Sequence, residues 1–350
     1  MRAALYHGRE DLRLEQVDEP EPGPGEVKLR IELAGICGTD LHEYYLGPLL
    51  TRAEMPHPTT GVKNPVILGH ELCGSVVAVG EEVDDLEEGQ LVAVSPTEYC
   101  GSCESCRRGE SVSCTQKAVH GMTRRGGAFC EFTIVRRAMA HPLPGGMSVE
   151  QGALIEPLAV GLQAAGRTAV AAGETAAVHG AGPIGLGAAL SLKAAGVRTI
   201  ILDPSPLRRG VARRLGFDEV LDPTESDPVL ALRELTDGVG VAGSIDAAGV
   251  QVALDAAIAS TAVDRTVTIV AVPMGPLSIQ PQPFRANLIR LTASTGRQDF
   301  PGTIAAMDRG DYPLDGWVST IPLERIVEDG FEPLHRKERM KVLVDPWHSV

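Results

Sequence analysis

Three sets of side chains in this sequence are spaced for chemistry: a run of cysteines, a scattered thiol, imidazole and carboxylates, and a group of glycines. The stretch "EYCGSCESCRRGESVSC" places Cys100, Cys103, Cys106 and Cys114 in CxxCxxCx7C spacing, four of the seven cysteines in the chain. A looped backbone of that spacing can present four sulfurs to one zinc ion at about 2.3 Å. Gly101 and Gly109 permit the turns, and Arg107, Arg108 and nearby amides offset part of the thiolate charge. A site with four filled corners stabilises a fold and leaves no room for a reactant. Redox-active thiols and a nucleic-acid zinc ribbon are the other uses of such a cluster.

The second set comes from three separated segments. "GICGTDLHEY" contributes Cys37, Thr39 and His42, "LGHELCG" contributes His70 and Glu71, and "LIEPLAV" contributes Glu156. A thiolate, an imidazole and a carboxylate make a three-ligand zinc site with a position open to water or substrate, hence a Lewis acid. Singly, each has a structural explanation: Cys37 as a small buried hydrophobe, His70 as a core histidine, Glu156 as a helix N-terminal carboxylate. Their combination points to a metal, with Glu71 and Glu156 exchanging as ligands while water or substrate comes and goes. Cys73 and Cys130 lie in apolar runs and read as packing residues.

The glycines are in "AAVHGAGPIGLGAAL", where Gly180, Gly182 and Gly185 stand in GxGxxG spacing around Pro183 and Ile184. The motif follows a β run and opens a helical one, as a dinucleotide-binding turn must. Gly180 allows the tight turn, Gly182 lets the backbone approach a pyrophosphate, and Gly185 allows close helix packing. Asp203 closes the next strand, "TIILD", where its carboxylate accepts ribose hydroxyls and repels a 2'-phosphate, favouring NAD over NADP. Arg208 and Arg209 oppose that preference, because an arginine can receive the phosphate instead.

The elements that must position these groups change character along the chain. The first 150 residues carry short β runs ("EVKLRIEL", "CGSVVAVG", "QLVAVS", "CEFTIV") broken by Gly and Pro, which predicts an irregular, mostly β domain. Beyond them, "TAAVHG", "TIILD", "EVLD", "GSIDAAG" and "TVTIVAV" alternate with segments of helical spacing, so the fold class is α/β with a parallel sheet. After about residue 290 the alternation fades into helices and a closing strand that can rejoin the first domain. A chain of 350 residues fits two domains. Its net charge of −14 argues against nucleic acid as a partner. The opening residues contain no continuous apolar stretch, and Arg167, Glu174 and Lys193 interrupt the alanine-rich region, so neither export nor a membrane span is expected. Reduced thiols and a cytoplasmic protein follow.

Taken together these motifs resemble the zinc-dependent medium-chain alcohol dehydrogenase family, from Met1 to "MKVLVDP". The resemblance implies a GroES-like, mostly β catalytic domain made of residues 1–153 and 292–350, with a structural zinc lobe at about 96–116. A Rossmann domain with a doubly wound parallel sheet then covers 154–291. It further implies two zinc ions per chain, NAD, and a homodimer or homotetramer. Within the family, "CGTDLHEYYLGPL", the long connection "HPTTGVKNPVILGHE" and "GALIEPLAV" are most similar to the (R,R)-2,3-butanediol dehydrogenase branch. A secondary alcohol or vicinal diol and its ketol are therefore the expected substrates, with a sorbitol-type polyol or threonine as alternatives. By the same resemblance Thr39 is the first proton acceptor in a relay and His42 its outlet. Arg297 in "TASTGRQ" is a cofactor contact, and Ala271 and Val272, ending "IVAVP", lie beside the nicotinamide. One departure is "HGMTRRGGAFCEF", with two arginines where a smaller, less basic loop is expected. A thiol-zinc redox sensor or scaffold retaining the fold, and a zinc-free quinone reductase, are the rival readings; neither needs the open zinc site.

Overall fold

The computed structural model describes residues 1–294 and 298–348, so the expected cofactor contact Arg297 lies outside the described residues. Contacts divide the chain into two compact units, Met1–Glu156 with Val318–Val350, and Pro157–Trp317.

The first unit is built around the strand Glu26–Gly35. Its apolar residues alternate with polar ones, and Val27, Leu29, Ile31 and Leu33 are buried as a period of two requires. One side of this strand pairs antiparallel with Glu71–Val79. The other side is shared, Phe132–Arg136 pairing with its first half and Lys341–Asp345 with its last two residues. The full sheet has seven strands, extended outward by Leu91–Val94 and Ala140–Pro142 at one edge and Val318–Pro322 at the other. The C-terminal segment thus rejoins the β unit: Ile321, Leu323, Ile326, Phe331, Val342 and Val344 share one core with Val27, Leu29, Ile31 and Phe129. A hairpin of Arg2–Gly8 and Asp11–Gln16, together with Val66–Ile67, forms a separate three-stranded sheet.

The second unit holds a six-stranded sheet in which every pair is parallel. Its spatial order is Val220–Leu221, Arg198–Leu202, Thr175–His179, Val241–Asp246, Thr261–Ile269 and Arg290–Ala293. Numbered along the chain this is 3-2-1-4-5-6, the doubly wound Rossmann order, with the switch point beside the first strand. The five β runs expected from the alternation are five of these strands. The sixth, Arg290–Ala293, and the helix Phe300–Asp308 stay with this unit, which closes at Trp317 where the sequence reading placed the return near residue 292. Among the described residues, no helix is long and apolar enough to cross a membrane.

Deleting Val318–Val350 removes six buried apolar side chains from the first core. At about 1.5–3 kcal/mol each, that loss reaches the whole stability of a typical domain, about 5–15 kcal/mol. The truncated chain is expected to show no cooperative melting transition for the first unit, with the second unit's transition retained in calorimetry.

Candidate metal centre and nucleotide loop

Cys37 stands two residues beyond the strand Glu26–Gly35 and directly before the helix Gly38–Leu46. Glu71 opens the strand Glu71–Val79, His70 stands directly before it, and Gly35 is in register with Glu71. That register delivers all three to one corner, where the Cys37 sulfur, a His70 ring nitrogen and a Glu71 carboxylate oxygen lie within 4.8 Å of one another. Asp40, with no exposed surface, ties the two segments together. Its carboxylate accepts the N–H of Cys37 at 2.9 Å and of Gly69 at 3.3 Å, and lies 3.5 Å from His70 Nδ1. That buried nitrogen makes no hydrogen bond. Thr39 Oγ1 sits 3.7 Å from Cys37 Sγ.

Glu71 has a partner that sequence reasoning missed. Lys341, 2% exposed and in the C-terminal strand, ion-pairs with the Glu71 carboxylate and donates to the Ile36 carbonyl at 3.0 Å. A Cβ at position 35 would overlap the Glu71 carboxylate and stand 3.1 Å from Lys341 Cε, so only glycine leaves room for the pair. The available signal was a lysine opening the apolar run "KVLV", a charge that burial obliges to find a partner. Asp40 was likewise passed over, although it stands three residues after Cys37, where a side chain reaches back to the helix start.

Glu156, in the first turn of the helix Ile155–Thr168, is buried but is not one of the three groups that converge within 4.8 Å. Burial pushes its carboxyl up to about 7, with Glu71 adding to the rise and His70 opposing it. Burial presses His70 toward the neutral form, but the charges of Asp40 and Cys37 outweigh it and hold the imidazole well above its usual range. A thiolate, an imidazole and carboxylates form the donor set zinc favours. The excess negative charge around a buried imidazole fits a cation at this corner. His42 is half-buried, and burial lowers its pKa with Glu43 opposing.

The four sulfurs of Cys100, Cys103, Cys106 and Cys114 also lie within 4.8 Å of one another, with Cys100 3.5 Å from Cys114 and 3.9 Å from Cys106. None is in a disulfide. Backbone N–H groups of Ser102 and Cys103 pull the Cys100 thiol down to about 6, toward the form that binds metal. Arg108, expected to offset thiolate charge, has carboxylate partners of its own. It pairs with Glu104 and with Glu110 at 3.1 Å, and Arg107 donates to the Ser102 carbonyl. The arginines of "HGMTRRGG" also separate in role. Arg124 is buried, paired with Glu98 and with Glu26 at 3.3 Å, and donates to the Ile134 carbonyl at 3.0 Å, whereas Arg125 is exposed. Cys73 and Cys130 are fully buried, as packing residues should be.

In the second unit Gly180 has φ +104°, and a Cβ there would stand 3.0 Å from the Ala247 carbonyl carbon. Gly182 caps the helix Pro183–Ala194, with Pro183 in its first turn, and a Cβ on Gly185 would overlap the Gly180 carbonyl. The buried Asp203 accepts from the N–H of Ala181 and of Ser205, both at 2.8 Å, so it braces the loop from its own strand end. The two arginines that follow differ. Arg209 is taken up by Asp222 at 2.7 Å and by the Asp203 carbonyl at 2.9 Å. Arg208 lies 3.5 Å from the Asp203 carboxylate, with its guanidinium over Gly182. Ala271 donates its N–H to the Asp246 carbonyl at 3.1 Å, and Val272 is exposed beside it.

Two family profiles match the chain, the alcohol dehydrogenase GroES-like domain over residues 23–145 and the zinc-binding dehydrogenase over 183–309. An (R,R)-butanediol dehydrogenase of Bacillus subtilis (strain 168) is 37% identical over 350 residues, covering 99% of this chain and 100% of that protein. Its counterpart from Neisseria gonorrhoeae is 35% identical over 352 residues, 99% of each. This chain belongs to the zinc-binding alcohol dehydrogenase family. The crystal structure of 2R,3R-butanediol dehydrogenase from Bacillus subtilis superposes on it with a TM-score of 0.92 at 36% identity, over 99% of both chains. Family membership makes the chain an oxidoreductase and accounts for both sulfur sites and the glycine loop appearing in one sequence.

Two outcomes follow from the charges at this dehydrogenase's buried corner. Lys341→Met leaves Glu71 without its cation and is expected to cost about 3–5 kcal/mol in urea unfolding, a loss that adding Glu71→Gln largely restores. Because a carboxyl near 7 must shed its proton to bind metal, zinc affinity should weaken as pH falls below about 7. Competition against a chromophoric chelator from pH 5 to 8 should show that slope reduced by one proton in Glu156→Gln.

Proposed function

We propose that the chain is an NAD-dependent dehydrogenase interconverting a vicinal diol of the 2,3-butanediol type and its ketol. The observation that carries this reading is the convergence of Cys37, His70 and Glu71 beside Thr39, in a chain similar over its whole length to butanediol dehydrogenases. Sorbitol and L-threonine 3-dehydrogenases are also relatives, over about two thirds of the chain, and their substrate types are the alternatives.

Cys37 and His70 would hold the catalytic zinc together with a carboxylate. That carboxylate is Glu71, which converges with Cys37 and His70, or Glu156, whose buried carboxyl a cation would favour in its ionised form, the two exchanging as ligands. Zinc so held supplies Lewis acidity that brings an alcohol's pKa toward neutral, and NAD supplies the hydride acceptor. Thr39 would accept the hydroxyl proton as it releases its own along a relay, and it orients the substrate from beside Cys37. His42, one turn further on, has its pKa lowered by burial and is the outlet of that relay. The four-cysteine lobe would hold the second, structural zinc.

Gly180, Gly182 and Gly185 with Pro183 and Ile184 form the pyrophosphate turn. Asp203 keeps lone pairs for the ribose while it braces that turn, which supports NAD. Arg208 is the cation placed to modulate the choice. Seven free cysteines support a reducing, cytoplasmic setting, and a homodimer or homotetramer is the expected assembly.

A spectrophotometric screen of diols, polyols and amino alcohols with NAD and NADP tests the reading, together with native mass spectrometry. Two zinc ions per chain and fastest turnover of 2,3-butanediol with NAD are expected. Cys37→Ser should abolish turnover while retaining one zinc, and Asp203→Gly should shift the cofactor ratio toward NADP. Preferred oxidation of sorbitol or threonine would replace the substrate assignment, and a single zinc in the parent would favour a redox scaffold.

A further inference from the structure

Asp246 closes the fourth strand of the parallel sheet and has no exposed surface. It lies in register between His179, at the end of the first strand, and Ile269, at the end of the fifth. This is the carboxyl edge of the sheet on the side of the switch point away from Asp203, where a doubly wound fold builds the second of its two mononucleotide halves. The acceptors of Asp246 are spent on four backbone N–H groups. One carboxylate oxygen accepts from Ala248 and from Gly249, both at 3.0 Å, and the carbonyl accepts from Val270 at 2.9 Å and from Ala271 at 3.1 Å. One residue thus fixes both the turn after the fourth strand and the segment after the fifth.

The same turn meets the glycine loop. Ala247 donates its N–H to the His179 carbonyl at 2.9 Å, and a Cβ on Gly180 would stand 3.0 Å from the Ala247 carbonyl carbon and 3.0 Å from the Ala248 nitrogen. At the other end of the turn, a Cβ on Gly249, whose φ is +68°, would stand 3.0 Å from Ala271 Cβ. The glycine loop, the turn 247–249 and residues 270–271 are therefore packed one against the next, with Asp246 bonded to the second and the third. The other Asp246 carboxylate oxygen is buried and finds no hydrogen-bond partner among the described residues. A buried carboxylate oxygen left unmet is costly, so what the residue contributes lies in the N–H groups that its paired oxygen and its carbonyl hold.

We propose that Asp246 is a positioning residue for the nicotinamide half of the cofactor: by holding the turn 247–249 and residues 270–271 against the glycine loop, it forms the seat for that half before NAD arrives. A seat ordered in advance spares the cofactor the cost of ordering it. The adenosine half, assigned above to the glycine loop and Asp203, does not depend on these bonds. This deepens the NAD dehydrogenase reading above and rests on it.

The test is isothermal titration calorimetry of the zinc-loaded full-length protein with NADH and with ADP, which lacks the nicotinamide half. Asp246→Ala, with its fold checked by circular dichroism, should raise the Kd for NADH about tenfold and leave that for ADP within about twofold, a split that general loss of structure does not produce. Asp246→Asn keeps an acceptor for the Ala248 and Gly249 N–H groups and should hold NADH within about threefold of the parent. Gly249→Ala leaves Asp246 in place but drives a Cβ toward Ala271 at a positive φ. It should show the same selective loss as Asp246→Ala, and it carries the test independently of whether that buried alanine variant folds. Equal weakening of both ligands, weakening of neither, or an asparagine variant as poor as the alanine one overturns the proposal. A parent that binds neither ligand overturns the NAD reading itself, and the positioning role with it.

Discussion

Negative groups crowd one buried corner of the first unit: Cys37, Asp40, Glu71 and Glu156 all surround His70. Taking such charges out of water is costly unless each is met by a cation or by hydrogen bonds. The protein answers each differently. Asp40 accepts two backbone N–H groups, and Glu71 is paired with Lys341. What remains is a deficit of positive charge beside the thiol and imidazole, and a dication fits that deficit. The corner is built to be completed.

Strand register is what gathers these groups. Gly35 lies opposite Glu71 on one side and Leu343 on the other, so three chain segments far apart in sequence converge at the end of one strand. Gly35 is needed there because a side chain would fill the space of the Glu71–Lys341 pair. The return of the C-terminal segment into the β unit therefore has a chemical consequence besides its share of the core: it carries the lysine that neutralises Glu71. Burial holds both members in place, since neither can reach water to be solvated alone.

The nucleotide loop follows a similar economy in a different unit. Asp203 was expected to serve the ribose, and its strand-end position allows that, but its oxygens first accept from Ala181 and Ser205 and so shape the loop. Arg208 and Arg209, indistinguishable as adjacent letters, have separate fates: one is consumed by Asp222 and the other lies over Gly182. The arginines of the loop after His120 divide in the same way, Arg124 being internal cross-bracing for Glu98 and Glu26. That departure from the expected loop is explained by structure, without reference to substrate.

The sequence by itself determined whatever depends on short-range spacing. Four thiols within fifteen residues, the GxGxxG turn between strand and helix, and the alternation of β and helical segments all follow from local backbone geometry, which adjacent residues set. Cys37, His70 and Glu71 were legible only as ligand types, from residue chemistry and not from spacing. Only tertiary structure decided which charges meet. Lys341 lies 270 residues from Glu71 in the chain, and no local pattern encodes a pairing that arises when a third strand docks on Gly35. Nor could spacing reveal which carboxylate joins Cys37 and His70 in the close trio, or that Glu43 turns its carboxylate onto the loop after its helix. Such outcomes depend on burial, which raises the energetic cost of every unmet charge and so selects partners across the fold.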